Sequence, residues 1–390
     1  MNTLIETALS AATVGSLALN AWHHAGWPVA LKLLSRGATT SPAPLAGEAL
    51  PAITVLMPAY NEADHIAAKL YNLARLDYPR ELLTVLIACD GCTDRTAEIA
   101  RAVLAEPHCA GLQGIVVEYK RNRGKVAVLN GAMAMLTTEV VALTDVSAML
   151  PPDALRRAAA HFADPKLGAV GGTYRIDRPG SAGEAKYWQY QLAVKRGEAA
   201  LGAPLGLHGA FYCLRRAAWR PLPADTINDD FIAPLEIFGR GWRVAYDPAI
   251  IAIEVEQADE ALDARRRKRI AAGNAQQVAR LSWLLNPRFG AVALAFASGK
   301  GLRVIAPFLI AMGVLGSVAL APGSALFLTL AAAQLIGLTT AVLGMALGGA
   351  APRLLAVARY ILAGHLASAQ GVLRYCAGGH RAPWRRALAS

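Results

Sequence analysis

The sequence Val140-Val141-Ala142-Leu143-Thr144-Asp145-Val146-Ser147 joins an apolar run to a carboxylate and, two positions later, to a hydroxyl. A buried strand that presents such oxygen ligands at one edge of a sheet is suited to a hard divalent cation. Asp145 is equally suited to open the turn before Pro151, since Asp is a common turn residue. The segments on either side decide between these two interpretations.

Strand-like and helix-like patterns alternate upstream of this stretch. The predicted helices occupy the intervals between strands, and the first has apolar residues at helical spacing in positions 66, 70 and 73. The predicted strands are 53–57, 83–88, 114–119 and 140–143. This alternation predicts an open α/β sheet with parallel strands, in which the ligand lies beyond the carboxyl ends of the strands.

Polar residues follow all four predicted strands. Asn61 and Glu62 follow the first strand, Asp90 the second, the segment 121–125 the third, and Asp145 the fourth. Each of them is an ordinary cap or turn residue alone, but their coincidence predicts a polar crevice. The sequence has no glycine-rich phosphate loop of the Walker or dinucleotide type, so a diphosphate bound here needs a divalent cation.

Several ordered motifs in this region resemble the nucleotide-binding half of family 2 glycosyltransferases. The resemblance continues through Asn228-Asp229-Asp230 and covers roughly residues 52 to 300. It implies a GT-A fold, which is a Rossmann-like mixed α/β sheet with flanking helices, and sugar transfer with inversion. The motifs are Pro58-Ala59-Tyr60-Asn61-Glu62, Leu76-Asp77-Tyr78-Pro79, Cys89-Asp90-Gly91-Cys92-Thr93-Asp94, Gly124-Lys125, Leu129-Asn130 and Gly209-Ala210-Phe211-Tyr212.

The resemblance also implies roles for individual residues. Asp145 and Ser147 stand where the family has its metal-binding Asp-x-Asp element, so the expected cofactor is Mg2+ or Mn2+ on the donor diphosphate. Ser147 replaces the second carboxylate, which predicts weaker metal binding in the absence of the diphosphate. The residues expected to bind the nucleotide sugar in this half are Ala59, Tyr60, Glu62, Asp90, Lys125 and Asn130.

An inverting transferase needs a base on the acceptor side, and the resemblance assigns it to Asp230, with Asp229 in support. An Asp has an ordinary pKa of about 4, and an adjacent carboxylate is one way to raise it. The alternative role of this pair is to begin a helix, which Asp does well.

Five consecutive cations, Arg265-Arg266-Arg267-Lys268-Arg269, follow the predicted base. Such a run is usually a solvated helix face or a patch on anionic lipid. Its position resembles the Gln-x-x-Arg-Trp motif of processive family members, with Arg266 at the Gln, Arg269 at the Arg and Ile270 at the Trp. The resemblance therefore assigns Arg266 and Arg269 to the donor, while Ile270 lacks the aromatic plane that lies beneath an acceptor sugar.

Both ends of the chain are apolar. Residues 304–352 contain no charged residue or histidine, and Pro322-Gly323-Ser324 divides them into two runs, each long enough to cross a bilayer. A third membrane helix is predicted over 7–22. Lys32 and Arg36 follow it, which predicts cytoplasmic orientation for the next domain at an inner membrane.

These patterns predict a multi-pass organisation with five parts. The segment 353–375 carries interspersed polar residues and is interpreted as an amphipathic helix on the inner surface. The net charge of +11 is assigned to anionic lipid, with no nucleic-acid motif to suggest another partner. The predicted parts are a membrane helix with its flank (1–40), a cytoplasmic GT-A domain (52–275), interfacial helices (276–303), two transmembrane helices (304–349) and an amphipathic helix with a basic tail (353–390).

Five cysteines with no paired spacing are typical of a reducing cytosol. Cys89 and Cys92 form one C-x-x-C motif. A redox role and a zinc role are both open, although the sequence has no second C-x-x-C and no paired histidines to complete a zinc site.

The function expected from these features is inverting transfer of a hexose from a nucleotide sugar to a lipid-linked or saccharide acceptor. The resemblance implies UDP as the nucleotide, and GDP is an alternative. A processive polysaccharide synthase is an alternative that the two strong membrane helices and Ile270 oppose. A catalytically silent membrane assembly partner is an alternative of another class. Retention of Asp90, Asp145 and Asp230 opposes that reading.

Overall fold

The computed structural model describes residues 3–35, 50–177, 182–255 and 260–378, and for 182–188 and 260–268 it describes the main chain only. One compact unit is Leu33–Arg265, and the other combines Met1–Lys32 with Arg266–His380. Residues 36–49 and the predicted basic tail after residue 378 lie outside the described residues.

Helices and strands alternate through the first unit, and helices alone make up the second. In chain order the elements are α1 (Thr3–Ala21), α2 (Trp27–Leu34), β1 (Ile53–Ala59), α3 (Ala63–Ala74), β2 (Leu83–Asp90), α4 (Thr96–Leu104), β3 (Gln113–Tyr119), α5 (Lys125–Met135), β4 (Val140–Thr144), β5 (Ala148–Met149), α6 (Ala154–His161), β6 (Leu167–Ile176), α7 (Ala182–Ala200), β7 (Phe211–Arg215), α8 (Asp229–Gly239), β8 (Arg243–Glu254), α9 (Glu260–Arg280), α10 (Ala291–Ala295), α11 (Leu302–Leu320), α12 (Ala325–Leu347) and α13 (Arg353–Cys376).

The described strands form one mixed sheet in the order β3-β2-β1-β4-β7-β6-β8-β5. The four predicted strands, β1 to β4, are parallel neighbours, which confirms the sequence interpretation. The strand β7 then pairs antiparallel with β4 and with β6. This antiparallel insertion brings the loop before β7 to the carboxyl end of β4.

Burial of the central strands explains their composition. All residues of β1 and β4 are buried, which matches their continuous apolar runs and the helices that cover a parallel sheet on both faces. On α3, Ile66, Leu70 and Leu73 are fully buried at the predicted helical spacing. The core on this face of the sheet holds the strand ends in fixed positions.

Among the described residues, three helical segments are long and apolar enough to cross a membrane: Thr3–Leu34, Ala291–Gly323 and Ala325–Ala350. The second differs from the predicted boundary near residue 304, because the helix begins at Ala291 and runs through a π-helical turn, Phe296–Gly301, into α11. Lys300 and Arg303 therefore lie within this long helix rather than before it.

Candidate active site

The buried carboxylate of Asp90 fastens the loop that follows β3. Asp90 is fully buried at the end of β2 and accepts main-chain N–H groups from Arg123, at 3.0 Å, and Gly124, at 2.8 Å. The guanidinium of Arg123 lies 3.5 Å from the centre of the Tyr119 ring. Asp90 thus fixes the start of α5, and its predicted contact with the nucleoside stays a prediction.

The loop after β1 is held against the start of α4. The side chain of Asn61, at a positive φ of 54°, accepts the main-chain N–H of Thr93 at 2.8 Å. The carboxylate of Asp94 accepts the N–H groups of Ala63, at 3.1 Å, and Thr96, at 3.0 Å. These bonds hold the ends of β1 and β2 together.

The predicted nucleotide-binding residues Ala59, Tyr60 and Glu62 lie in this loop, at the carboxyl end of β1. Ala59 is the last residue of the strand and is fully buried, whereas Tyr60 and Glu62 are half-buried. The main-chain N–H of Glu62 donates to Thr96 Oγ1 at 2.8 Å. The loop is therefore fixed before any ligand binds.

Lys125 connects the two predicted carboxylate sites. Its Nζ lies 3.0 Å from Asp145 Oδ1 and 3.8 Å from Asp229 Oδ2. Burial alone would lower the pKa of Lys125, but the carboxylates of Asp145 and Asp229 outweigh it and raise that pKa above its ordinary value. Lys125 is therefore a permanent cation between the strand end of β4 and the start of α8.

The loop before β7 joins Asp145 to Asp230. Ala210 accepts the main-chain N–H of Asp145 at 3.3 Å, and Gly209 donates its N–H to Asp230 Oδ2 at 3.0 Å. Leu207 donates its N–H to the main-chain oxygen of Asp230 at 2.8 Å. The half-buried Asp230 and the buried Asp229 thus lie at the same sheet edge as Asp145.

Two buried side chains near this edge, Lys69 and Tyr212, were given no role by the sequence analysis, although Tyr212 belongs to one of the quoted motifs. Lys69 is fully buried, and its Nζ donates to Thr144 Oγ1 at 2.9 Å and to the main-chain oxygen of Ala148. The sequence signal that could have identified Lys69 is its position on the apolar face of α3. Tyr212 is buried on β7 with no hydrogen-bond partner for its hydroxyl among the described residues. Burial and the nearby carboxylates, Asp229 first, raise the pKa of Tyr212 well above its ordinary value.

The other three predicted donor-binding residues are Asn130, Arg269 and Arg266. The side-chain amide of Asn130 pairs with the main chain of Leu222 in both directions, at 2.8 and 2.9 Å, so it fastens a loop. Arg269 is exposed on α9, in the second unit. The side chain of Arg266 lies outside the described residues.

Asp145 and Ser147 are suited to a divalent metal ion whose other ligands come from the bound donor. Within the described part of the chain, no three His, Cys, Asp or Glu side chains are grouped to hold a metal by themselves. The half-exposed carboxylate of Asp145 is a hard oxygen ligand, and Ser147 is two residues away. Diphosphate oxygens would have to supply most of the remaining ligands of Mg2+ or Mn2+.

Comparisons with known proteins identify the family and the fold of this chain. Residues 51–274 match the model described as "Glycosyltransferase like family 2". A poly-beta-1,6-N-acetyl-D-glucosamine synthase of Staphylococcus aureus (strain MSSA476) is 30% identical over 210 residues, which are 51% of this chain and 48% of the synthase. The synthase of Staphylococcus epidermidis is 26% identical over 204 residues, or 50% and 48% of the two chains. The chain thus spans about half the length of these curated relatives.

A solved structure shows the same fold. The mannosyltransferase from Pyrobaculum calidifontis, in complex with GDP-Man and Mn2+, superposes with a TM-score of 0.73 at 24% identity and covers 94% of this chain and 99% of its own. The predicted GT-A-type mixed sheet is therefore confirmed. Because the family model matches more than half of the chain, the protein belongs to glycosyltransferase family 2.

Proposed function

We propose that this protein transfers a hexose, with inversion, from a nucleotide sugar to a lipid-linked or saccharide acceptor at the inner surface of the cytoplasmic membrane. The observation that carries the proposal is the bridge from Asp145 through Lys125 to Asp229, with Asp230 beside it. One sheet edge of a family 2 domain thereby offers oxygen ligands, a fixed cation and a carboxylate base.

The donor is proposed to lie along the carboxyl ends of β1, β2 and β4. Ala59, Tyr60 and Glu62 border the nucleoside. Asp90 orients the loop that contains Arg123, and this loop faces the nucleoside. Lys125 is half-buried and stays charged, so it offsets negative charge that develops on the leaving diphosphate. Its two carboxylate partners fix its position, which lowers the cost of reorganisation during transfer.

Asp230 is proposed as the general base. It takes the proton from the acceptor hydroxyl as the oxygen attacks the anomeric carbon, and the bond to the nucleotide diphosphate breaks on the opposite face. The N–H of Gly209 holds Asp230 Oδ2 in place, at 3.0 Å. Asp145, with Ser147, would hold a Mg2+ or Mn2+ ion, which supplies charge neutralisation on the diphosphate.

The membrane helices support a bilayer acceptor. The three apolar segments would hold the domain near the surface, where a lipid-linked acceptor arrives by diffusion in two dimensions. Lys32 lies in the last turn of the first segment, and the positive-inside rule then favours cytoplasmic orientation for Leu33–Arg265.

The test is the variant Asp230→Asn in the full chain. We expect transfer to fall by about 10²- to 10⁴-fold, the usual contribution of a general base, while donor affinity changes little. Asp153→Asn is the matched control, because Asp153 also stands at a helix start but pairs with Arg157 at the surface. A screen of UDP- and GDP-sugars, with and without Mn2+, identifies the donor first. Undiminished turnover in Asp230→Asn would refute the base assignment.

A second candidate is a processive polysaccharide synthase, which the similarity to poly-beta-1,6-N-acetyl-D-glucosamine synthases favours. Ile270 in place of an aromatic residue opposes it. The length of product made from a radiolabelled donor separates the two: a single added sugar supports the first proposal, and a long polymer supports the second. Absence of both transfer and donor hydrolysis in the wild type would support the silent assembly partner instead.

A further inference from the structure

A buried ion pair on α7 contacts the loop that precedes β7. The side chains of Lys195 and Glu198 are 8% and 2% exposed, and Lys195 Nζ lies 3.5 Å from Glu198 Oε2. The two residues are three positions apart, so one turn of the helix brings them to the same face. Taking two charges out of water has a large cost, which their mutual attraction does not reliably repay. We therefore expect the pair to have a role besides stability.

The loop that the pair contacts is itself buried, so its main-chain groups need partners inside the protein. Residues 203–207 are all buried. Glu198 Oε2 accepts the N–H of Leu205 at 2.9 Å. Lys195 Nζ donates to the main-chain oxygen of Gly206, at 2.8 Å, and to that of Leu205. Two apolar side chains of similar size would fill this space but would leave these three main-chain groups unpaired.

The same loop is joined to the proposed base at three points. Leu207 donates its N–H to the main-chain oxygen of Asp230, and Gly209 donates its N–H to Asp230 Oδ2. Gly206, at a φ of 79°, packs against the next residue of α8, because a Cβ at this position would lie 2.4 Å from Phe231 Cδ2. A displacement of the loop would therefore move the N–H groups that hold Asp230.

We propose that Lys195 and Glu198 are positioning residues for Asp230. The ion pair holds the main chain of residues 205–206, and the loop in turn holds the carboxylate of Asp230. The proposal rests on the proposed role of Asp230 as the base, and neither residue of the pair touches the substrates. A misplacement of about 1 Å lowers the rate of such a reaction by about 10²-fold, so the anchoring of this loop should be visible in the rate of transfer.

The test replaces the pair with apolar side chains of similar size, in the full chain in detergent. The double variant is Lys195→Met with Glu198→Leu. It should fold, because replacing a buried ion pair as a whole is often neutral for stability. Hydrogen–deuterium exchange at the amides of residues 205, 207 and 209 should become faster by about tenfold or more, while β1 and β4 exchange as in the wild type. This readout requires neither donor nor acceptor.

Kinetics separates positioning from a general structural role. The double variant should lower kcat for transfer by about 10²-fold and leave KM for the donor unchanged, since the donor is proposed to lie at β1, β2 and β4. In the background of Asp230→Asn the double variant should lower kcat no further, because the pair acts through that carboxylate.

Two further variants serve as references. Glu198→Gln keeps an oxygen that accepts the N–H of Leu205, so it should restore most of the transfer rate that the double variant loses. Arg95→Met with Glu98→Leu removes another ion pair three positions apart on a helix, but an exposed one, and should leave exchange in the loop and kcat unchanged.

Each readout can overturn the proposal. Unchanged exchange at residues 205–209 in the double variant would refute the anchoring of the loop. Unchanged kcat, or a further loss in the background of Asp230→Asn, would refute positioning through Asp230. Faster exchange in β1 and β4 as well, or failure to fold, would show that the pair serves the whole fold. Full turnover in Asp230→Asn alone would instead refute the base itself, and the positioning role with it.

Discussion

Replacing the buried amine of Lys69 should remove a loss of stability that the wild type undergoes as the pH falls from 10.5 to 7. Lys69 is fully buried, and desolvation lowers its pKa to about 7 against the opposing effect of Asp145 and Glu254. Between pH 10.5 and pH 7 the unfolded chain therefore binds a proton that the folded chain does not, so stability falls as pH falls. Below pH 7 the folded and the unfolded chain both bind this proton, and the full free-energy cost of burying the charged amine is present.

The two pKa values, 10.5 in the unfolded chain and about 7 in the folded one, differ by an amount equivalent to about 5 kcal/mol. Lys69→Met removes this cost but also removes the hydrogen bonds to Thr144 and Ala148, each worth about 1 kcal/mol. Thr144 keeps its hydrogen bond to Ala210 at 2.8 Å. We therefore expect Lys69→Met to be more stable than the wild type by about 2–4 kcal/mol at pH 7, and slightly less stable at pH 10.5.

The assay is thermal unfolding of the purified chain in detergent, in steps from pH 7 to pH 10.5, with Lys166→Met as a control for an exposed lysine. The informative quantity is the difference in Tm between variant and wild type at each pH. A difference that stays constant across this range, or a variant that is less stable at pH 7, would contradict the assignment of a neutral buried amine.

Three further outcomes follow from the site geometry. Asn130→Ala should destabilise the chain by about 2–3 kcal/mol, since it leaves two main-chain groups of Leu222 unpaired. KM for the donor should not change in this variant. A KM raised tenfold or more would support donor binding by Asn130. Gly91→Ala should prevent stable folding, because a Cβ at φ 65° would lie 2.4 Å from the main-chain nitrogen of Asn122, in the loop after β3. A circular dichroism spectrum of well-folded protein would contradict this expectation. Ser147→Asp should lower the Mn2+ concentration needed for half-maximal transfer by about tenfold, since it adds a second carboxylate near Asp145, and an unchanged requirement would place the metal elsewhere.

The parallel half of the sheet was predictable because its signals are local. β1, β2 and β4 are apolar runs followed by polar residues, and α3 carries apolar residues at helical spacing. The predicted end of the first strand was two residues early, since Pro58 looks like a strand breaker. In the structure Pro58 still pairs in register with Ala88. Proline lacks only the N–H group, and the rest of its main chain fits an extended strand.

The carboxylate cluster was predictable only in part, because its contacts join residues far apart in the chain. The family motifs indicated Asp145, Asp229 and Asp230 separately, but the ion pairs through Lys125 depend on how β4 and α8 pack. The contacts of Asn130 were likewise not predictable from the local sequence. Its motif suggested a ligand contact, whereas packing directs its amide to the main chain of Leu222, 92 residues later.

The charge balance of the site explains why a divalent cation is expected although only one carboxylate of the family element is kept. Asp145, Asp229 and Asp230 bring three negative charges to one edge, and Lys125 supplies a single positive charge that two of them already share. A nucleotide diphosphate adds further negative charge, and in a partly buried site this repulsion is weakly screened. A cation held jointly by Asp145 and the diphosphate removes the repulsion only when the donor is present. Metal and donor binding should therefore be strongly cooperative. Because Ser147 stands in place of a second Asp, the affinity for the metal should depend more strongly on the bound donor.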